Sequence, residues 1–151
     1  MCVDTPPRFL ASNPHGARAF ALVGRISERM NLLLVFLGAG IGGVARYGVS
    51  TASLRLGSDF PYGTMAINIV GSVLMGLFTG WFALRGGGQP LRLFIATGVL
   101  GGFTTFSSYS LEAVLLLERG QTGAAAVYIL GSVALGLAGL FAGLWLMRAL
   151  L

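Results

Sequence analysis

The residues best placed to do chemistry are polar side chains set inside apolar runs. Thr64, Asn68 and Ser72 recur every fourth residue, a spacing that puts them on one helical face. Further along, Gly98–Ser110 crowds glycines, Ser and Thr hydroxyls and the rings of Phe103, Phe106 and Tyr109 into one short stretch, and Glu112 follows directly. Such groups can line a path with hydrogen-bond donors, or they can bond across to a neighbouring helix in a packing seam. Asn68 weighs towards the path, since its amide has two N–H donors to satisfy. No nucleophile with a base partner and no metal-ligand cluster is visible in the sequence, which argues against an enzyme. The one cysteine, Cys2, can form no disulfide within the chain.

The elements that must position these residues are membrane spans. The chain of 151 residues is 55% hydrophobic and 10% charged, with a mean hydropathy of +0.81. A soluble domain carries about a quarter charged residues, so this composition excludes a water-soluble globule. The apolar runs divide into four spans of about Asn31–Leu54, Tyr62–Leu84, Leu91–Leu117 and Thr122–Leu150, each long enough for the ~20 residues that a ~30 Å hydrocarbon core requires. Gly98–Ser110 then falls near the middle of the third span. Irregular backbone survives at that depth only where protein buries it or a cavity adjoins it. Gly38, Gly40, Gly42 and Gly43 in the first span, and Gly139 and Gly143 in the fourth, form small-residue faces suited to close helix contact. Residues 1–29 differ in kind, with prolines, scattered arginines and short apolar runs. They are expected to be a flexible N-terminal extension to a four-helix domain over 30–151, with His15 a solvated loop residue.

The net charge of +5 is carried by arginine alone. Most arginines lie near the ends of apolar runs, where they reach the headgroups and bias orientation. No basic stripe with interleaved aromatics suggests nucleic acid. From Met30 onward one side of the membrane would hold Arg85, Arg92 and Arg148, and the other Arg55 and Arg119. Such a weak bias lets a small protein insert both ways and pair antiparallel with itself. Arg8, Arg18, Arg25 and Arg29 would strengthen the bias if they count. Arg46 lies inside the first span, and either faces a wet vestibule or reaches the interface.

From Met30 to its end the chain resembles the Fluc (CrcB) fluoride channels. The resemblance rests on Gly42-Gly43-Val-Ala-Arg46-Tyr47, on Gly63-Thr64-Met-Ala-Ile-Asn68-Ile-Val-Gly71-Ser72, and on Gly98-Val-Leu-Gly101-Gly102-Phe-Thr104-Thr105-Phe106-Ser107. It implies an all-α integral membrane protein of the cell membrane, with the third helix broken near its middle, assembled as an antiparallel, dual-topology homodimer with two narrow pores. Fluoride is small and holds its water tightly, so a pore must replace that shell with closely spaced donors. The resemblance assigns the fluoride pathway to Asn68, Thr64, Thr105, Ser132 and the rings of Phe106 and Tyr109, whose positive edges suit an anion. Tyr109 departs from the family's phenylalanine, and either its ring edge or its hydroxyl would meet the ion. The resemblance also implies a structural sodium ion on the two-fold axis, held by backbone carbonyls of Gly101 and Thr104. Arg46 would gather anions in the vestibule, and Glu112 would be a pore-adjacent acid able to pair with a hydroxyl. The implied function is passive export of cytoplasmic fluoride. The competing reading, a proton-coupled exporter of the small multidrug kind, wants an acid in the first span, and none lies between Asn31 and Leu54.

Overall fold

The computed structural model describes residues 14–55 and 57–151, with side chains described at Leu22 and from Gly24 onward. Within these limits the chain is all-helical. Helix α1 covers Pro14–Leu54 and α2 Tyr62–Arg85; α3 is the short Gln89–Arg92, followed by a π-helical segment at Leu93–Leu100 and by α4 at Gly101–Phe103. Helix α5 covers Phe106–Glu118, and α6 covers Thr122–Leu150. Four runs are long and apolar enough to cross a membrane: Gly24–Leu54, Tyr62–Arg85, Gln89–Glu118 and Thr122–Leu150.

Of the extension expected over residues 1–29, residues 14–29 lie in the helix that continues into the first span. Proline is tolerated at a helix start, where its missing N–H would have had no partner. Residues 1–13, Cys2 and Arg8 among them, and the side chains of His15 and Arg18 lie outside the described ones. At about 1.5 Å per residue a 41-residue helix runs for roughly 60 Å, twice the hydrocarbon thickness. Its N-terminal turns therefore have room to project beyond the apolar core of a bilayer.

Tight turns join the spans. Gly86 closes α2 at φ 71°, where a side chain would be strained, and its N–H donates to the Phe82 carbonyl at 3.0 Å. The helices meet through glycine. A Cβ on Gly143 of α6 would stand 2.8 Å from the Leu77 nitrogen of α2, and one on Gly98 would stand 2.9 Å from the Gly38 Cα of α1. Backbones this close gain van der Waals contact that lipid cannot supply. α2 lies along α6, and α1 packs on the π-helical segment and α4. The buried core is small, built around Ile67, Leu116 and Tyr128, while large apolar side chains cover the outside of every span. That distribution suits hydrocarbon or a second protein surface, not water.

The helical run of the third span stops at Phe103. Thr104 (φ −78°, ψ 159°) and Thr105 (φ −152°, ψ 120°) are extended, and α5 begins at Phe106. Thr105 caps it, its Oγ1 accepting from the Ser108 N–H at 3.2 Å.

Candidate functional site

An open groove of about 330 Å³ lies beside these two threonines. Four pieces of chain converge on it: α2 supplies Asn68, Gly71, Ser72 and Met75; the extended pair is Thr104 and Thr105; α5 supplies Phe106 and Tyr109; and α6 supplies Ser132, Val133 and Leu140. The structure thus gathers Asn68, Thr105, Phe106, Tyr109 and Ser132 in one place. Thr64, Arg46, Glu112 and Gly101 do not line it.

Asn68 is the keystone. Its Nδ2 donates to the Thr105 carbonyl at 3.0 Å, and its Oδ1 accepts from the Thr105 N–H at 2.9 Å. One side chain thereby pairs both backbone groups of Thr105: the N–H, which has no helical acceptor here, and the carbonyl, which as the cap of α5 also accepts the first bond of that helix. Left unpaired, the N–H would cost about 1–3 kcal/mol in an apolar interior. This bond consumes one of Asn68's two N–H donors and leaves the other. Around it, the Ser72 hydroxyl donates to the Asn68 carbonyl at 2.8 Å, and the Thr104 hydroxyl donates to the Leu100 carbonyl at 3.0 Å. The Thr105 hydroxyl donates to Ser108 Oγ at 3.1 Å. Ser132 stands apart: its hydroxyl is buried and has no hydrogen-bond partner among the described residues, although it lines the groove.

The aromatic residues form a row. Phe106 and Tyr109 have ring centroids 5.6 Å apart, Tyr109 and Tyr128 5.3 Å, and Tyr128 meets Phe60 edge-on at 5.7 Å. Phe106 is 79% exposed, at the open side of the groove. The Tyr109 hydroxyl donates to the Ile129 carbonyl at 3.2 Å.

Glu112 sits in a separate cluster. Its Oε1 accepts from the Thr64 hydroxyl at 2.8 Å and its Oε2 from the Tyr128 hydroxyl at 2.7 Å. Thr64 and Asn68 therefore both bond across from α2 to α5 and its leading turn, on the face that their four-residue spacing defines. Tyr128 as the second donor to Glu112 was not legible in sequence; its place four residues before Ser132 on α6 is the only signal that could have found it. Arg46 is half-buried in α1. At the extended pair, the N–H that a continuous helix would direct to the Gly101 carbonyl belongs to Thr105, and it goes to Asn68 instead.

A buried donor without an acceptor among the described residues, aromatic edges and a pinned extended pair suit the binding of a small anion; the described residues hold no group of three His, Cys, Asp or Glu that could bind a metal ion. Comparison with known proteins agrees with this reading. Residues 33–144 match the family described as "CrcB-like protein, Camphor Resistance (CrcB)". A protein of Methylobacterium nodulans named "Fluoride-specific ion channel FluC" is 62% identical over 120 residues, which cover 79% of this chain and 97% of that relative. A protein of the same name from Rhodopseudomonas palustris is 58% identical over 123 residues, covering 80% of this chain and 99% of the relative. One from Novosphingobium aromaticivorans is 54% identical over 117 residues, 76% of this chain and 93% of its own. Spans, motifs and extent of match agree, and the chain belongs to the CrcB family of multi-pass membrane proteins.

Proposed function

We propose that this protein is a fluoride channel that lets the ion leave the cytoplasm down its electrochemical gradient. The relatives' shared name supports the choice of ion. The observation that carries it here is Ser132: a buried hydroxyl, 7% exposed, without a partner, lining one groove with the spare amide proton of Asn68. An anion that must shed tightly held water needs such unspent donors. Thr105 adds its place on the groove wall, and the edges of Phe106 and Tyr109 add positive ring hydrogens. Thr64 would act at one remove, through Glu112, and Arg46 would raise the local anion concentration at a vestibule.

The finer architecture belongs to the same reading. The extended pair Thr104–Thr105 is a break near the middle of the third span, and two copies would pair antiparallel so that each groove is closed by the other copy. The exposure of Phe106 at the groove's open side supports such a partner. The Gly101 carbonyl, which has lost its helical donor to Asn68, and the carbonyl of Thr104 fit a hard cation that takes oxygen ligands. Sodium held by these two from each copy would fasten the breaks together, with no part in conduction. Glu112 gives the multidrug-exporter reading no support, since both of its oxygens already accept hydroxyl hydrogen bonds.

Purified protein in fluoride-loaded liposomes tests the proposal. Rapid fluoride efflux without comparable chloride efflux is expected; vesicles that hold fluoride as well as protein-free controls would refute it.

A further inference from the structure

We infer that Arg25 and Arg29 form a docking stripe for anionic phospholipid: on the outward ridge of α1, their guanidinium groups take the headgroup phosphates of the leaflet around the start of the first span. The inference rests on the chain being a membrane protein and not on which ion it carries.

Both residues are exposed and four positions apart, so they are neighbours on one face of the helix. Towards the membrane that face becomes apolar and stays open. Phe36 follows Arg29 by seven residues and Arg25 by eleven, close to two and three full turns, and it is 74% exposed. Tyr47, eleven residues further on, is 71% exposed. Gly38 is two residues from Phe36 and so on the opposite side of the helix, where a Cβ would stand 2.9 Å from the Gly98 Cα of the third span. The arginines therefore stand above the side of α1 that is turned away from the rest of the chain. The proposed second copy would close the groove elsewhere, since no residue of α1 lines it. Depth agrees with direction. Arg29 and Arg25 precede Asn31, where the apolar run begins, by two and six residues, or roughly 3 and 9 Å, and the headgroup layer is about 5–7 Å thick on each side. The flexible arginine stem covers the difference. Ile26 and Met30, both exposed, flank the pair and offer apolar contact to the first carbons of the acyl chains. Glu28 is two positions from Ile26 and faces the other way. A planar guanidinium takes two phosphate oxygens at once, and two such groups a turn apart favour a headgroup of net negative charge over one that carries its own cation. Both arginines precede residues 33–144, which match the family, so the stripe is additional to the fold that the family defines.

The test uses the purified full chain in neutral detergent and reads by native mass spectrometry how tightly it holds dioleoylphosphatidylglycerol, with dioleoylphosphatidylcholine as the zwitterionic counterpart. Wild type should hold the anionic lipid about tenfold more tightly or better, and equal binding of the two lipids overturns the inference. Replacing both residues, Arg25→Gln with Arg29→Gln, should weaken the anionic lipid by about tenfold or more, roughly fivefold for each basic residue lost near a membrane surface, and leave the zwitterionic one unchanged. Arg85→Gln with Arg148→Gln removes two arginines expected on the same membrane side but off the ridge, and should weaken binding by less than about threefold. An equal loss in the two pairs would make the preference a matter of total charge and overturn the stripe. Inorganic phosphate at the lipid's concentration should displace nothing; displacement would make this a site for free phosphate instead. Salt on wild type judges the stripe even where the glutamine pair does not fold: at 1 M, where screening acts within about 3 Å, the preference should vanish, and one that survives overturns it. Vesicles that retain fluoride would end the channel reading and leave the lipid measurement standing.

Discussion

Asn68 has two duties that pull on one side chain. It satisfies both backbone groups of Thr105, and its remaining N–H is available to the groove. Asn68→Asp keeps the acceptor and loses the donor to the Thr105 carbonyl, while placing negative charge where an anion must pass. Fluoride efflux is expected to fall to the level of empty vesicles. Asn68→Ala should in addition destabilise the fold by about 1–3 kcal/mol, since the Thr105 N–H loses its partner, which denaturant titration in detergent would read. Ser132→Ala offers the contrast. Its hydroxyl bonds to none of the described residues, so stability should change by less than about 1 kcal/mol, while efflux drops by tenfold or more if the hydroxyl serves the ion. The sequence marked Asn68 and Ser132 as donors but not their unequal structural weight. The partner of Asn68 is 37 positions away, and no local pattern encodes that pairing.

At the scale of elements, the four spans are legible because unbroken apolar runs separated by Gly, Pro and Arg leave few alternatives in a bilayer. The start of α1 at Pro14 is less legible, because Pro14 and Gly16 resemble loop punctuation, although proline is compatible with a first helical turn. The π-helical segment at Leu93–Leu100 leaves no mark in the apolar pattern. α1 lies close against it at Gly38 and Gly42, and a Cβ on Gly42 would collide with the Val99 carbonyl. Gly42→Val should therefore push α1 away and lower folded yield sharply, whereas Gly40→Val should have little effect within the single chain, as nothing stands within 4 Å of a Cβ there. Fluorescence-detected size exclusion would compare the two. Thr105→Val keeps the extended backbone but removes the cap of α5, at a cost of about 1 kcal/mol.

For the whole molecule, charge and the proposed antiparallel pairing would pull in different directions. The helical stretch ahead of Met30 carries Arg18, Arg25 and Arg29, and adding them to Arg85, Arg92 and Arg148 strengthens the preference for keeping the N-terminus in the cytoplasm. An antiparallel pair needs half of the copies inserted against that preference. Replacing these three arginines with alanine should bring the two orientations closer to equal, as read by labelling single cysteines from either side of intact cells, and should raise the yield of pairs. The groove adds a further consequence. It is open along one side, with Phe106 standing out of it, so under the proposed pairing a passage built from it would be unfinished until a second copy arrives. A faulty copy would then spoil the sound one it joins, and cells making both kinds would lose protection faster than the share of faulty chains alone would suggest.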